Sequence, residues 1–324
     1  GIAWDSSTST LPLTDAAILV PNGTGIDADD DLNIVLEGSS TVIGVGRNDA
    51  FGVYTDGDLA IRCGTNAGNL TGTGYAKSIY AAGSSLTIRD KGTAVTATGH
   101  WDGIGADNVV TISGGAVVTA TGEESTGIYA GNGLVIRGEG TEVTASGDWR
   151  GMHIQNGDMT VSGGAVVTVT GESDHGIDVS GDTTIRDKGT AVTASGKESG
   201  INTYGDVTIS GGAVVTATGE QRHGIGAYPS GGSVAIRDKG TVVTASGPWD
   251  GIGANKDVTI SGGAVVEATG EQRYGVYALN GLIVRGEGTE VTAIGGAQGQ
   301  AVDGVLKTAL SVREGADAAT ARPS

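Results

Sequence analysis

A two-residue step, glycine followed by an aliphatic residue, returns along this chain at nearly constant intervals, and it restricts the fold more tightly than any other feature. It stands at Gly25, Gly52, Gly103, Gly127, Gly151, Gly176, Gly200, Gly224, Gly251 and Gly275, with Ser78 in place of one glycine and Ala301 as a degenerate twelfth copy. Successive copies lie 24 to 27 residues apart. A fixed period of that length belongs to stacked repeat units, none of which can bury its apolar face alone.

Each unit holds three short segments, as in Gly103–Ala106, Val110–Ser113 and Val118–Gly122. All three alternate apolar and polar residues with the period of two that marks a strand. Three strands in about 24 residues predict an all-β chain: a right-handed single-stranded parallel β-helix, a solenoid of about 12 coils. The repeats span 25–300, residues 1–24 are expected to cap the first coil, and 301–324 read as a last degenerate coil, a C-terminal cap or a truncation. The alternation also names the core. Ile104 and Ile128, Val110 with Ile112, Leu134 with Ile136, and Val118 with Ala120 should point inward and form aliphatic ladders with rungs about 4.8 Å apart. Paired glycines between segments (Gly114-Gly115, Gly211-Gly212) and Asn-Gly pairs (Asn132-Gly133, Asn156-Gly157) are expected to supply positive-φ corners.

Composition agrees. The chain has 60 glycines, one phenylalanine and 4% aromatics in 324 residues, which suits thin pleated surfaces better than a layered core. A formal charge of −18 argues against nucleic acid or an anionic membrane as partner. No apolar run approaches the roughly 18 residues of a membrane helix, so no membrane insertion is expected. Cys63 is the single cysteine, which leaves no intrachain disulfide, and it reads as a small filler near a strand end. The opening Gly1-Ile2-Ala3-Trp4 lacks the basic and apolar regions of a secretion signal and reads as a trimmed mature chain.

In a solenoid, a residue repeated at one coil position becomes a stripe, and four stripes stand out. Outward threonine pairs recur at Thr96/Thr98, Thr119/Thr121, Thr144/Ser146, Thr168/Thr170, Thr193/Ser195, Thr216/Thr218 and Thr244/Ser246. They resemble the Thr-x-Thr arrays of ice-binding solenoids, although threonine is also a favoured solvent-facing strand residue. Trp101, Trp149 and Trp249 each stand two residues before a Gly-Ile step, in a polar corner with no core to fill. They are corner braces or binding platforms. Trp101 and Trp149 lie two coils, about 9.6 Å, apart, a disaccharide step of an extended glycan, and Glu123 and Glu172 sit at intervening corners as acceptors for sugar hydroxyls.

An arginine row, Arg62, Arg89, Arg137, Arg186, Arg237, Arg285 and Arg313, is followed by acids such as Asp90, Asp187 and Asp238. It reads as a salt-bridge rail, with an acidic polysaccharide as the alternative. The fourth stripe is acidic. Asp27, Asp29 and Asp31 align with Asp56 and Asp58, and Asp158, Asp182 and Asp206 align on consecutive coils. Asx capping of the turns explains them, and calcium (Ca2+) at the Asp27–Asp31/Asp56/Asp58 cluster is the sharper alternative.

Catalysis is not expected. No phosphate-binding loop precedes a helix, His175 and His223 lie two coils apart, and carboxylate pairs recur along every ladder, so none singles out a glycosidase centre. The longest interruptions of the repeat, Gly64–Lys77 and Tyr228–Ser233, hold no paired carboxylates. The recurring phrase Val-Thr-Ile-Ser-Gly-Gly, Val-Thr-Ala-Thr-Gly, Gly-Ile-x-Ala resembles the repeats of β-helical bacterial cell-surface proteins. Some of these are carbohydrate-binding domains that recognise plant cell-wall polymers such as polygalacturonate, with calcium in the fold. The likeness spans roughly residues 25–300. It implies a non-enzymatic extracellular protein, secreted or on a bacterial surface, whose partner is a polysaccharide or host-surface glycan. The alternatives are an ice-binding or self-associating surface on the threonine ladder, and a structural stalk.

Overall fold

In the computed structural model the described residues are all β, without a helix, and their strands stack as parallel β-solenoid turns, about 12 in the chain and about 24 residues apart. The structure describes residues 5–46, 49–228, 230–296 and 302–303, and the strand backbone of 306–308 and 312–314. The terminal segment 301–324 and the side chain of Arg313 therefore lie largely outside the described residues. Two compact units make up the chain, Gly1–Gly157 with Ala165–Val167, and Asp158–Gly164 with Thr168–Ser324.

In the first unit each coil contributes a first strand, such as Asp102–Ala106, a second, Val109–Ser113, and a third, Val117–Gly122. First strands pair in parallel with first strands, so Val53, Ile79, Ile104, Ile128 and Met152 form one column. Second strands stack Leu86, Val110 and Leu134 beside Ile88, Ile112 and Ile136. Third strands stack Val95, Val118 and Val143 beside Ala97, Ala120 and Ala145. These side chains are buried, in the ladders that the alternation predicts. Below them Thr10–Thr14 and Ala17–Val20 pair with Leu32–Gly44.

The segment expected to interrupt the repeat, Gly64–Lys77, does so at its start, where residues 64–67 fall outside the register of the neighbouring strands, although one strand runs from Leu59 to Gly74. Leu70 stacks on Val95 and Gly72 on Ala97, so the inward column simply continues one coil earlier. Cys63 is buried at the junction, where its thiol donates to the Lys91 carbonyl at 3.2 Å.

The second unit repeats the scheme. Ile177, Ile201, Ile225, Ile252 and Val276 form the first-strand column. Val207, Val234, Val258 and Leu282 form the second, and Val215, Val243, Val266 and Val291 the third.

Glycine marks two kinds of corner. Gly114-Gly115 and Gly211-Gly212 turn with φ of 70°, 85°, 68° and 87°, as expected of left-handed backbone. Gly157 does not adopt that conformation. A Cβ there would strike the Asn132 carbonyl, so close backbone approach is what requires glycine. The third strands end in glycine for the same reason. In the first unit a Cβ on Gly99, Gly122 or Gly147 would collide with the Asp102, Thr126 or Arg150 carbonyl, and Gly196, Gly219 and Gly270 repeat this in the second.

Candidate functional site: an aromatic and histidine face

The core contains no phenylalanine, tyrosine or tryptophan among the described residues. Every described aromatic ring, and each of the four histidines, lies in the first strand of a coil or within two residues of its ends. The second and third strands carry small β-branched residues outside and aliphatic residues inside. In each unit the described rings are thus confined to the sheet of first strands and its corners.

In the first unit Tyr54 and Tyr80 are register neighbours in the column that continues through Gly105, Tyr129 and His153. Phe51 packs on Tyr54 at 4.8 Å and stacks on Tyr80 at 5.7 Å between ring centroids. Gly105 leaves a slot between Tyr80 and Tyr129, and the Lys77 ammonium fills it, 3.7 Å from the Tyr80 ring centre and 4.8 Å from that of Tyr129. Lys77 also pairs with Asp102 at 3.3 Å, and the other oxygen of Asp102 accepts the Thr126 backbone N–H at 3.2 Å. The tyrosine hydroxyls donate to Asp56 from Tyr54 (2.6 Å), to Asp107 from Tyr80 (2.5 Å) and to Gln155 from Tyr129.

The hydrogen bond to Asp56, with some burial and the Asp56 charge, pushes the Tyr54 phenol up to about 12. Burial first, then the bond to Asp107, raises Tyr80, and burial raises Tyr129. Asp56→Ala should return Tyr54 toward the ordinary phenol value of about 10, read as a lower alkaline midpoint in an ultraviolet absorbance titration.

Trp101 and Trp149 share a corner column with Ser125 between them, two coils apart as the repeat implies. They are 47% and 43% exposed, although each is also braced. His100 meets Trp101 edge-on at 5.9 Å, and Arg150 lies 3.9 Å over Trp149 with His153 edge-on at 6.2 Å. The expected choice between brace and platform is therefore not exclusive, because one side of each indole is supported and much of the ring remains open. Beside Trp101 a shallow cleft of about 330 Å3 is lined by Val45, Thr73, Tyr75, Thr98, His100 and Glu123. Glu123 thus joins the tryptophan corner through His100.

In the second unit the corner column reads Asp174, Glu198, Arg222, Trp249 and Arg273. Trp249 is 39% exposed between Arg222 and Arg273, whose guanidinium carbons lie 5.4 and 5.7 Å from its ring centre. Beneath it Asp250 is fully buried, 3.1 Å from His223 Nδ1 and 3.5 Å from the Tyr228 hydroxyl. Tyr228 covers Gly226 and Gly253, and burial raises its phenol. Glu172 is exposed in this unit. His175 and His223 stand two coils apart, with Ser199 between.

The acidic stripe caps turns. Asp31 accepts the Asp58 N–H at 2.8 Å and Asp58 the Ser85 N–H at 2.9 Å. In the second unit Asp158, Asp182 and Asp206 pass the same bond along to Ser233, each at 2.8 Å. Asp27 and Asp29 line a hollow of about 530 Å3, while Asp56 serves Tyr54. Among the described residues no three His, Cys, Asp or Glu side chains are grouped so as to hold a metal ion. Within the arginine row Arg89 pairs with Asp90 at 3.6 Å and Arg186 with Asp187 at 3.4 Å. Asp90 and Asp187 have positive φ, 79° in each, so they serve the turn as well.

The threonine pairs are in register, Thr96 with Thr119 and Thr144 in one unit and Thr193 with Thr216 and Thr244 in the other. An outward valine column runs beside them, with Val214, Val242 and Val265 37–45% exposed.

Reading for tryptophan corners misses the tyrosine and histidine row. At five of the steps the residue that follows is a ring (Tyr54, Tyr80, Tyr129, His153 and Tyr277), which aligning the coils displays. No protein family matches this chain, nor does any curated protein or solved structure.

Proposed function

We propose that this chain is a non-enzymatic extracellular module, secreted or held on a bacterial surface, that binds carbohydrate along its first-strand face. The confinement of every described aromatic ring to first strands and their corners, with none among the described core residues, carries the reading. A ring that is not needed for packing remains free to stack against the apolar face of a sugar. Trp101 and Trp149 form the platform of the first unit, with Glu123 as hydroxyl acceptor, and Trp249 offers another in the second. Polyols suit this face because hydrogen-bonding groups accompany its rings: Asp107 and Gln155 accept from the Tyr80 and Tyr129 hydroxyls, and Glu123 shares a cleft with Tyr75.

The test is a pull-down against a panel of insoluble polysaccharides, with and without chelator, comparing wild type with Trp101→Ala/Trp149→Ala. At about 0.5–1.5 kcal/mol for each ring contact, retention on the bound polysaccharide should fall about tenfold. Equal retention by the double variant would refute the assignment, and a chelator effect would bring calcium into it. A second reading, an ice-binding or self-associating surface, is favoured by the registered threonine columns. It predicts thermal hysteresis or self-association that the double variant keeps intact.

A further inference from the structure

The cleft next to the Trp101 corner has an ionisable side chain, His100, between its aromatic wall, Tyr75, and its acid, Glu123. His100 packs on Tyr75 from the preceding coil at 4.5 Å and meets Trp101 edge-on at 5.9 Å. Both of its ring nitrogens face carboxylates of the following coil. Nδ1 is 3.8 Å from Glu123 Oε2, and Nε2 is 3.3 Å from Glu124 Oε2. A neutral imidazole carries one N–H, so it can serve one of these acceptors while turning a lone pair toward the other. Only the imidazolium, with two N–H donors, satisfies both.

We propose that His100 is a pH-operated latch on the carbohydrate cleft, closing Glu123 and Glu124 onto itself when protonated and releasing Glu123 when neutral. This inference rests on the glycan reading of the cleft. Glu123 holds the longer of the two contacts, and it is the side chain that lines the cleft. Once released, its carboxylate can accept hydroxyl hydrogen bonds from a sugar seated on Trp101. The latch thus favours ligand at neutral pH and disfavours it at acid pH, across the range in which histidine changes charge. The groups that face His100 are Glu123 and Glu124 from the next coil, Tyr75 from the coil before and the adjacent Trp101.

The arrangement recurs without being a copied repeat. His153 stands edge-on to Trp149 four residues after it, and His223 stands edge-on to Trp249 from 26 residues before it. With His100 directly preceding Trp101, three different sequence offsets produce the same indole–imidazole contact. Duplication of one coil would have preserved a single offset.

The test needs no glycan. In the full chain labelled with 13C-histidine, the His100 resonance (identified by its loss in His100→Gln) is followed by NMR from pH 4.5 to 8.5 beside the Trp101 indole N–H. Glu123→Gln and Glu124→Gln should each shrink the change in the Trp101 N–H resonance between the two ends of that range. The Trp101 N–H should shift along the His100 curve and become static in His100→Gln. An indole response unchanged by both glutamate variants, or indifferent to His100, would overturn the latch. Because no sugar is present, the latch can fail while the pull-down succeeds, and the reverse.

Discussion

Exchange of His223 for leucine should cost the protein about 1–3 kcal/mol, because it takes away the polar ring nitrogen that faces the buried Asp250 carboxylate. Asp250 is fully buried, and its Oδ1 has no hydrogen-bond partner. Its Oδ2 lies 3.1 Å from His223 Nδ1 without a hydrogen bond between them, and it accepts from the Tyr228 hydroxyl at the limit of hydrogen bonding, 3.5 Å. The duplicated Asp102 stands in easier surroundings, since Lys77 pairs with it and the Thr126 N–H donates to its other oxygen. At Asp250 the register partner on the next coil is Tyr274, whose N–H goes to the Trp249 carbonyl, so the second donor is missing. Denaturant unfolding of His223→Leu should show the loss. The double variant Asp250→Leu/His223→Leu should recover most of it, because an apolar pair of similar volume carries no charge to strand. A single-variant loss below about 1 kcal/mol would mean that water or a rearranged Arg273 already compensates the carboxylate.

A single methyl group at Gly219 should be comparably damaging. Glycine inside a strand ordinarily weakens it, so Gly→Ala is often stabilising where φ is compatible. Here a Cβ would fall on the His223 carbonyl, with the Glu198 carbonyl also close, and neither is the end of a flexible side chain. Relief requires the third strand to move away from the first, which opens the corner and lifts Val215 and Ala217 from their stacks. Gly219→Ala is therefore expected to lose about 3 kcal/mol, at the upper end of ordinary overpacking. The neighbouring outward substitution Thr218→Ala should stay within about 0.5 kcal/mol. Equal unfolding midpoints for the two variants would show that the corner is not tightly closed.

The architecture was legible because the repeat makes one coil explain the next. The place where the sequence reading expected a break, Gly64–Lys77, lacks the usual Val-Thr-Ala-Thr phrase, but Leu70 and Gly72 preserve its inward column. Period alone was the better guide there. The site was legible in part. Tryptophan in a polar corner is conspicuous, whereas Tyr54, Tyr80 and Tyr129 sit in the variable position of a strand motif whose other residues are core. Glycine at 105, 226 and 253 hides the same column by leaving slots that Lys77 and Tyr228 occupy from elsewhere. The role of the acidic stripe turned on backbone geometry that no alignment of letters displays, since an aspartate that caps the next coil and one that waits for a cation are spelled alike. The pairing of each described tryptophan with a histidine was likewise invisible, because each pair arises at a different separation along the chain.

A core without rings also divides the molecule spectroscopically. Near-ultraviolet absorbance, circular dichroism and intrinsic fluorescence arise from aromatic side chains, and here the described ones stand at first strands and their corners. Those optical bands therefore watch the surface that would receive a partner, while the aliphatic ladders that hold the coils together are dark to them and must be followed through the amide region instead.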